Sequence, residues 1–170
     1  SILTRHEEGI AILSRYPIIQ TSFILLPRDL SSKDDEHSRI LLSVIIMKDG
    51  VKVKVSSSHF ALSESARDKA VRYMKHMSES DDDNTMIHIF GGDLNAEPTE
   101  PAMLYLQSPA YHTRYPFQDT FLITPIEQRQ VMESAWKENG YTFPACNPSK
   151  RIDYIFIRNC SHYGVVAKGY

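Results

Sequence analysis

Short apolar runs bounded by turn residues divide much of this chain into strands. Residues 39–47 and 51–59 are two such runs, joined by the turn signal Lys48-Asp49-Gly50. Valines alternate with lysines at the start of the second run. The two runs are therefore predicted to form an antiparallel hairpin, with one face of the second strand buried and the other exposed to solvent at its start. The same reading predicts further strands over residues 8–18, 23–26, 86–93 and 151–157.

Apolar positions at helical spacing predict three helices between these strands. The first opens at Ser63, a suitable N-cap, and the second covers residues 101–107. The third covers residues 126–139 and stops at Gly140. Residues 27–37 have no apolar period and are expected to form an exposed loop, the segment expected to be most mobile. The positions predicted to face the core are Ala66, Ala70, Tyr73, Met74, Met77, Met103, Leu104, Leu106, Val131, Ala135 and Trp136.

The amino-acid composition limits the class of protein and the kinds of partner it can have. The 170 residues, 42% hydrophobic and 24% charged, predict one globular domain over residues 1–170. A formal net charge of -2 argues against bulk attraction to a polyanion, so substrate choice must come from a site. Cys146 and Cys160 lack the spacing of a zinc site. No signal peptide or membrane span is evident, which favours an intracellular location, and we expect a monomer without an obligate protein partner.

Polar residues at the end of one strand suggest chemistry. After the apolar run, Gly91-Gly92 lets the backbone turn, and Asp93 and Asn95 then project to one side while Leu94 points into the core. A carboxylate beside an amide can hold a divalent cation, orient a water or bind a phosphoryl oxygen. The alternative is an ordinary turn rich in Asp and Asn, because these are also common turn residues.

Two more polar residues end strands of the predicted sheet: His59 and Asp153. If the sheet brings them to Asp93 and Asn95, the group is equipped for metal-assisted attack of water on phosphorus. Oxygen ligands favour magnesium or manganese over zinc. Alternatives remain for each residue: His59 as a hydrogen-bonded strand-end histidine, Asp153 as the partner of Arg151 or of a backbone amide, and Arg39 as a surface charge rather than a phosphate clamp.

With these motifs in order, the chain resembles the endonuclease/exonuclease/phosphatase superfamily, which has a deoxyribonuclease-I-like fold. The matching segments are Glu8-Gly9-Ile10-Ala11-Ile12-Leu13-Ser14-Arg15, Ser58-His59-Phe60, Gly92-Asp93-Leu94-Asn95-Ala96-Glu97-Pro98 and Arg151-Ile152-Asp153-Tyr154-Ile155. The resemblance implies an α/β two-sheet sandwich flanked by helices. It implies that Asp93 and Asn95 orient the nucleophilic water and contact phosphate or metal. It also implies that His59 contacts or protonates groups around the scissile phosphate and that Asp153 orients a histidine further along.

Two departures from the family pattern shape the expectation about activity. The family's asparagine and main metal-binding glutamate should precede Glu8, and Glu7 and Glu8 are not in the right context to replace that glutamate. The closing serine-aspartate-histidine motif is absent, and His162 lies too close to Asp153 to stand in for its histidine. We therefore expect a central fragment of a catalytic domain, incomplete at both termini, that alone binds metal poorly and has little activity.

The expected function is that of a magnesium- or manganese-dependent phosphoesterase acting on phosphodiesters in nucleic acid or a phospholipid head group. The alternative is a non-catalytic, interaction-type relative of the same fold.

Overall fold

A computed structural model describes residues 8–78, 87–112, 115–129 and 138–158. Within these residues the strands form one six-stranded sheet in the order β1-β2-β3-β4-β6-β5. The strands are β1 (Ile18–Leu25), β2 (Ile40–Lys48), β3 (Val51–Ser58), β4 (Ile87–Asp93), β5 (Gln118–Asp119) and β6 (Asp153–Arg158). The helices are α1 (Glu64–Ser78), α2 (Pro101–Leu106) and the single turn α3 (Thr120–Ile123). The mixed α/β class is confirmed, and the second sheet of the predicted sandwich is not among the described residues.

The pairing of the strands brings several strand ends to one edge of the sheet. β2 and β3 form the predicted antiparallel hairpin, whereas β3 and β4 are parallel, with α1 as the connection between them. β6 then pairs antiparallel with β4. The carboxyl ends of β3 and β4 therefore meet the amino ends of β2 and β6, and we call this the site edge of the sheet.

The main core lies between the sheet and helices α1 and α2. Phe60, Phe90, Phe156, Leu94 and Met103 are all fully buried there. The Ser63 side chain accepts a hydrogen bond from the backbone N–H of Ala66 at 3.2 Å, which confirms the predicted N-cap of α1.

Most of the predicted helical core positions are buried. Ala66, Ala70 and Met74 of α1 and Met103 and Leu106 of α2 are buried as predicted. Tyr73 is half-buried, whereas Met77 and Leu104 are 37% and 55% exposed, so their assignment to the core was wrong.

Two predicted elements differ in the structure. No strand forms over residues 8–17: β1 begins only at Ile18, and Leu13 is 97% exposed rather than packed. The helix predicted over residues 126–139 is reduced at its start to the 3-10 turn Ile126–Gln128, because Arg129 has an extended backbone. The Arg129 guanidinium lies 4.1 Å from the centre of the Phe121 ring and donates to the carbonyl oxygen of Thr124. Val131, Ala135 and Trp136 lie outside the described residues.

The loop predicted over residues 27–37 has no helix or strand, as expected. It is nevertheless tied to α1, because the Asp35 carboxylate is buried and accepts hydrogen bonds from the Asp29 backbone N–H and the Ser63 hydroxyl. Its mobility stays a prediction. In the part of the chain that the structure describes, none of the helices has the length and apolar character that crossing a bilayer requires.

Candidate active site

Two glycines let β4 approach its neighbours closely just before the site edge. A Cβ atom on Gly92 would lie 2.0 Å from the carbonyl oxygen of Ser58, and the φ of Gly92 is +137°. A Cβ atom on Gly91 would lie 2.5 Å from the carbonyl oxygen of Tyr154. Both strands that flank β4 would clash with any larger residue here. The double glycine therefore fixes where Asp93 leaves the sheet.

Asp93 and Asn95 form a turn and also face the site edge. One carboxylate oxygen of Asp93 accepts a hydrogen bond from the Asn95 backbone N–H at 2.9 Å. Asn95 has a φ of +48°, a left-handed conformation that Asn tolerates better than most residues. Its side-chain amide donates to the carbonyl oxygen of Phe60 at 2.9 Å, and Leu94 is fully buried between the two polar residues, as predicted. The turn rich in Asp and Asn is therefore present in the structure. It fixes the orientation of both side chains and is compatible with a functional site.

His59 lies beside Asp93. Its Nε2 atom is 3.6 Å from the Oδ2 atom of Asp93. The adjacent backbone is fixed as well, because the N–H of Phe60 donates to the carbonyl oxygen of Asp93 at 2.9 Å. The side chains of His59 and Asp93 are 38% and 35% exposed, so solvent and a substrate can reach them.

Arg39, the residue just before β2, joins this group. Its Nη1 atom lies 3.1 Å from Nδ1 of His59 and 3.2 Å from a carboxylate oxygen of Glu8. Because its side chain is only 12% exposed, the interpretation of Arg39 as a surface charge was wrong. A cleft of about 240 Å³ opens here, lined by residues that include Glu8, His37, Arg39 and His59. The sequence reading missed the contact of Glu8 with Arg39, because the two residues are 31 positions apart and no periodic pattern connects them.

Asp153 stands directly opposite Asp93 in the β4–β6 pairing. Side chains at directly opposed positions share one face of a sheet, and like charges there are destabilising. Asp153 is exposed. Arg151 is not its partner: the Arg151 guanidinium pairs instead with Asp119 at 2.6 Å. The site edge thus carries two carboxylate residues at directly opposed positions of β4 and β6.

Asp119 makes its contacts in the interior of the protein. Its carboxylate accepts a hydrogen bond from the backbone N–H of Phe121 at the start of α3, so Asp119 is the N-cap of this turn. Tyr154 also supports the site from inside, since its hydroxyl donates to the carbonyl oxygen of Ala96 at 2.8 Å, just beyond Asn95. Burial raises the pKa of Tyr154 well above its ordinary value, so this hydroxyl keeps its proton.

The polar side chains at the site edge are of the chemical types that bind magnesium or manganese. Asp93, Asn95 and Asp153 offer carboxylate and amide oxygens, and magnesium typically takes one or two carboxylates and completes its shell with water and phosphate. The described residues contain no group of three or more His, Cys, Asp or Glu side chains arranged to hold a metal ion. A magnesium ion held by these oxygens would therefore need further ligands from outside this set.

Comparison with known proteins identifies the family of the chain. Residues 2–168 match the model of the Endonuclease/Exonuclease/phosphatase family. The chain belongs to this family. None of the curated protein sequences compared with the chain matches it significantly.

Solved structures show the same fold at low sequence identity. An endonuclease/exonuclease/phosphatase family protein from Bacteroides thetaiotaomicron has a TM-score of 0.58 and 15% identity over 84% of this chain and 51% of its own. A mannosyl-6-phosphatase from the same organism has a TM-score of 0.57 and 19% identity over 84% and 52%. The human Nocturnin catalytic domain, solved with a bound sulfate anion, has a TM-score of 0.51 and 16% identity over 84% and 48%. This chain thus spans about half the length of these structures.

Proposed function

We propose that this chain carries the phosphate-ester site of a magnesium- or manganese-dependent phosphoesterase. The observation that supports the proposal most is the convergence of His59, Asp93, Asn95 and Asp153 at one edge of the sheet, from three different strand ends. The family of the chain includes endonucleases, exonucleases and phosphatases, which is consistent with chemistry on phosphorus.

The reaction is the hydrolysis of a phosphate ester: a water oxygen bonds to phosphorus, the ester P–O bond breaks, and the leaving oxygen takes up a proton. Asp93 accepts a hydrogen bond from the attacking water and aligns it, since its carboxylate is reachable and its orientation is fixed by the Asn95 N–H. The Asn95 amide nitrogen is engaged by the carbonyl oxygen of Phe60, which leaves the amide oxygen to face the site.

The other side chains act on the phosphoryl group. His59 lies beside Asp93, where it can donate to a phosphoryl oxygen, and Arg39 adds positive charge next to it. Asp153 orients a histidine from further along the protein, as the family resemblance implies. Asp93 and Asn95 would hold the cation, which when bound neutralises the charge of the phosphoryl group.

We propose phosphodiesters as the substrate class, in nucleic acid or in a phospholipid head group. The acidic residues Asp34, Asp35 and Glu36 in the loop before Arg39 fit poorly beside a nucleic-acid backbone, although Asp35 itself is buried. One structural relative is named a phosphatase, so a phosphomonoester belongs in the same set of test substrates.

The test is hydrolysis of DNA, RNA, sphingomyelin and phosphoinositides by the whole protein with magnesium. Asp93→Asn should lower the rate by about 10²–10⁴-fold, because a neutral amide oxygen is a much weaker acceptor for the water than a carboxylate. Asp68→Asn is the matched control, since Asp68 pairs with Arg72 on the surface of α1 and its loss should leave the rate unchanged. An Asp93→Asn protein as active as wild type would sink the proposal.

One observation favours the second candidate, a non-catalytic relative that uses the same fold for interaction. It is the incomplete set of metal-binding side chains among the described residues. Calorimetric titration of the whole protein with magnesium separates the two candidates. The phosphoesterase proposal expects binding that weakens in Asp93→Asn, whereas the interaction-type candidate expects no binding and no hydrolysis of any substrate.

A further inference from the structure

The contact between Arg39 and His59 carries a consequence for the chemistry of the imidazole. The Nη1 atom of Arg39 lies 3.1 Å from Nδ1 of His59. A guanidinium has five N–H donors and no acceptor, and it keeps its proton at all ordinary pH values. In this contact Arg39 must therefore donate, and Nδ1 of His59 must be the acceptor.

The neighbour of the other nitrogen of the His59 ring favours the same assignment of the proton. Nε2 of His59 faces the Asp93 carboxylate at 3.6 Å, and an ionised carboxylate only accepts hydrogen bonds. A neutral imidazole has one N–H and one bare nitrogen, and the bond made by one nitrogen decides the state of the other. Both neighbours of His59 therefore favour the proton on Nε2.

Arg39 is itself held in place. Glu8 lies 3.2 Å from the same Nη1 atom, and the Arg39 side chain is only 12% exposed, although the Glu8 side chain is 65% exposed. A guanidinium with this little freedom loses less on forming an additional hydrogen bond than a mobile surface side chain would. The contact with His59 is thus a fixed feature of the cleft.

We propose that Arg39 is a positioning residue that fixes neutral His59 as the Nε2–H tautomer, with Nε2–H directed towards Asp93 and the mouth of the site. Neutral His59 then presents a hydrogen-bond donor to the reacting group and has no free lone pair on that side. Its role is that of a donor to a phosphoryl or leaving oxygen and not that of the base that takes a proton from water. The catalytic meaning of this rests on the proposed phosphoesterase function, but the tautomer itself does not.

The experiment is ¹⁵N NMR of the imidazole rings in the 170-residue chain, without ligand and at a pH at which His59 is neutral. Comparison with the spectrum of His59→Gln assigns the His59 signals. Wild type should show a protonated Nε2 and a bare, hydrogen-bonded Nδ1. Arg39→Met, which keeps an unbranched apolar stem and removes the guanidinium donors, should lower the ratio of the Nε2–H to the Nδ1–H tautomer about tenfold, as expected for a charge-assisted hydrogen bond.

Two controls separate this effect from general disturbance. Arg72→Met removes an exposed arginine–aspartate pair on the surface of α1 and should leave the His59 signals unchanged. Because Asp93 favours the same tautomer, the Arg39→Met comparison is repeated in an Asp93→Asn background, where the same fall should be seen.

A proton on Nδ1 in wild type, or an unchanged tautomer ratio in Arg39→Met in both backgrounds, would overturn the proposal. An unchanged ratio together with a raised KM in the whole protein would assign Arg39 to direct phosphate binding instead. The NMR measurement needs no turnover. If the protein proved not to be a phosphoesterase, the tautomer of His59 would still be measured, so failure of the proposed function and failure of the tautomer proposal can be told apart.

Discussion

Two histidines on neighbouring strands of the same sheet have opposite environments. His59 follows β3 at the site edge, is 38% exposed at its side chain and lies between Arg39 and Asp93. His88, near the start of β4, is buried, contacts the Ser56 hydroxyl at 2.9 Å and packs edge-on against the Phe117 ring. The first histidine can meet a substrate, whereas the second is part of the packed interior.

A comparison of two arginine–carboxylate pairs repeats this division. Arg39 pairs with an exposed Glu8 at the cleft, while Arg151 and Asp119 are 5% and 1% exposed at their side chains. The Arg151 guanidinium also lies 5.1 Å and 4.7 Å from the ring centres of Phe121 and Tyr154. A histidine or an arginine–carboxylate pair therefore does not mark a functional site in this protein by residue type alone. Its position relative to the site edge distinguishes a site residue from a residue of the interior.

The largest effect on stability should come from breaking the buried pair. Asp119→Ala leaves the Arg151 charge buried without its partner and should lower the free energy of unfolding by about 3–5 kcal/mol. Asp153→Ala is the matched control at the site edge. It removes an exposed carboxylate from beside Asp93, so stability should change by less than about 0.5 kcal/mol or rise slightly. Urea unfolding of both variants makes the comparison, and equal losses would contradict the division into two regions.

A smaller loss is expected where the strands approach most closely. Gly92→Ala places a Cβ atom against the Ser58 carbonyl and forces a strained φ, so unfolding should become easier by about 2–3 kcal/mol. Gly9→Ala is the control, because a Cβ atom there meets nothing within 4 Å. Thermal unfolding of the two variants checks the prediction, and a Gly92→Ala protein as stable as Gly9→Ala would show that the close approach is not required.

The smallest effect is a dependence of stability on pH. Burial, with smaller contributions from Arg158 and Lys54, holds the pKa of His88 well below its ordinary value of 6.5. Below pH 6.5 the unfolded chain binds a proton at this position that the folded chain does not, so stability falls as the pH falls. The loss should be about 1 kcal/mol over the first pH unit below 6.5. Urea unfolding at several pH values should show this slope in wild type and its absence in His88→Gln; the same slope in both would refute the assignment.

The sequence predicted the parts of this molecule that depend on local pattern. Alternating valines and a turn signal predicted the β2–β3 hairpin, and Ser63 predicted the start of α1. Asp93 and Asn95 were identified because two glycines and a buried leucine set them apart within a few residues. In each case the residues that decide the structure are neighbours in the chain.

Predictions failed where distant residues decide the structure. Arg151 was considered as a partner for Asp153, two positions away, but it pairs with Asp119, which is 32 positions away. Arg39 looked like a surface charge until the hairpin placed it against His59 and Glu8. The apolar residues around Leu13 suggested a strand, although no neighbouring strand among the described residues pairs with them.

The most direct test of the position of the reactive site compares His59→Gln with His88→Gln in the whole protein, with phosphodiester hydrolysis and urea unfolding measured side by side. We predict that His59→Gln lowers hydrolysis by about 10²-fold or more and leaves the unfolding midpoint at neutral pH almost unchanged. His88→Gln should alter the unfolding curve and keep the activity of the molecules that remain folded. Full activity in His59→Gln, or selective loss of activity in folded His88→Gln, would contradict the placement of the reactive site at the site edge.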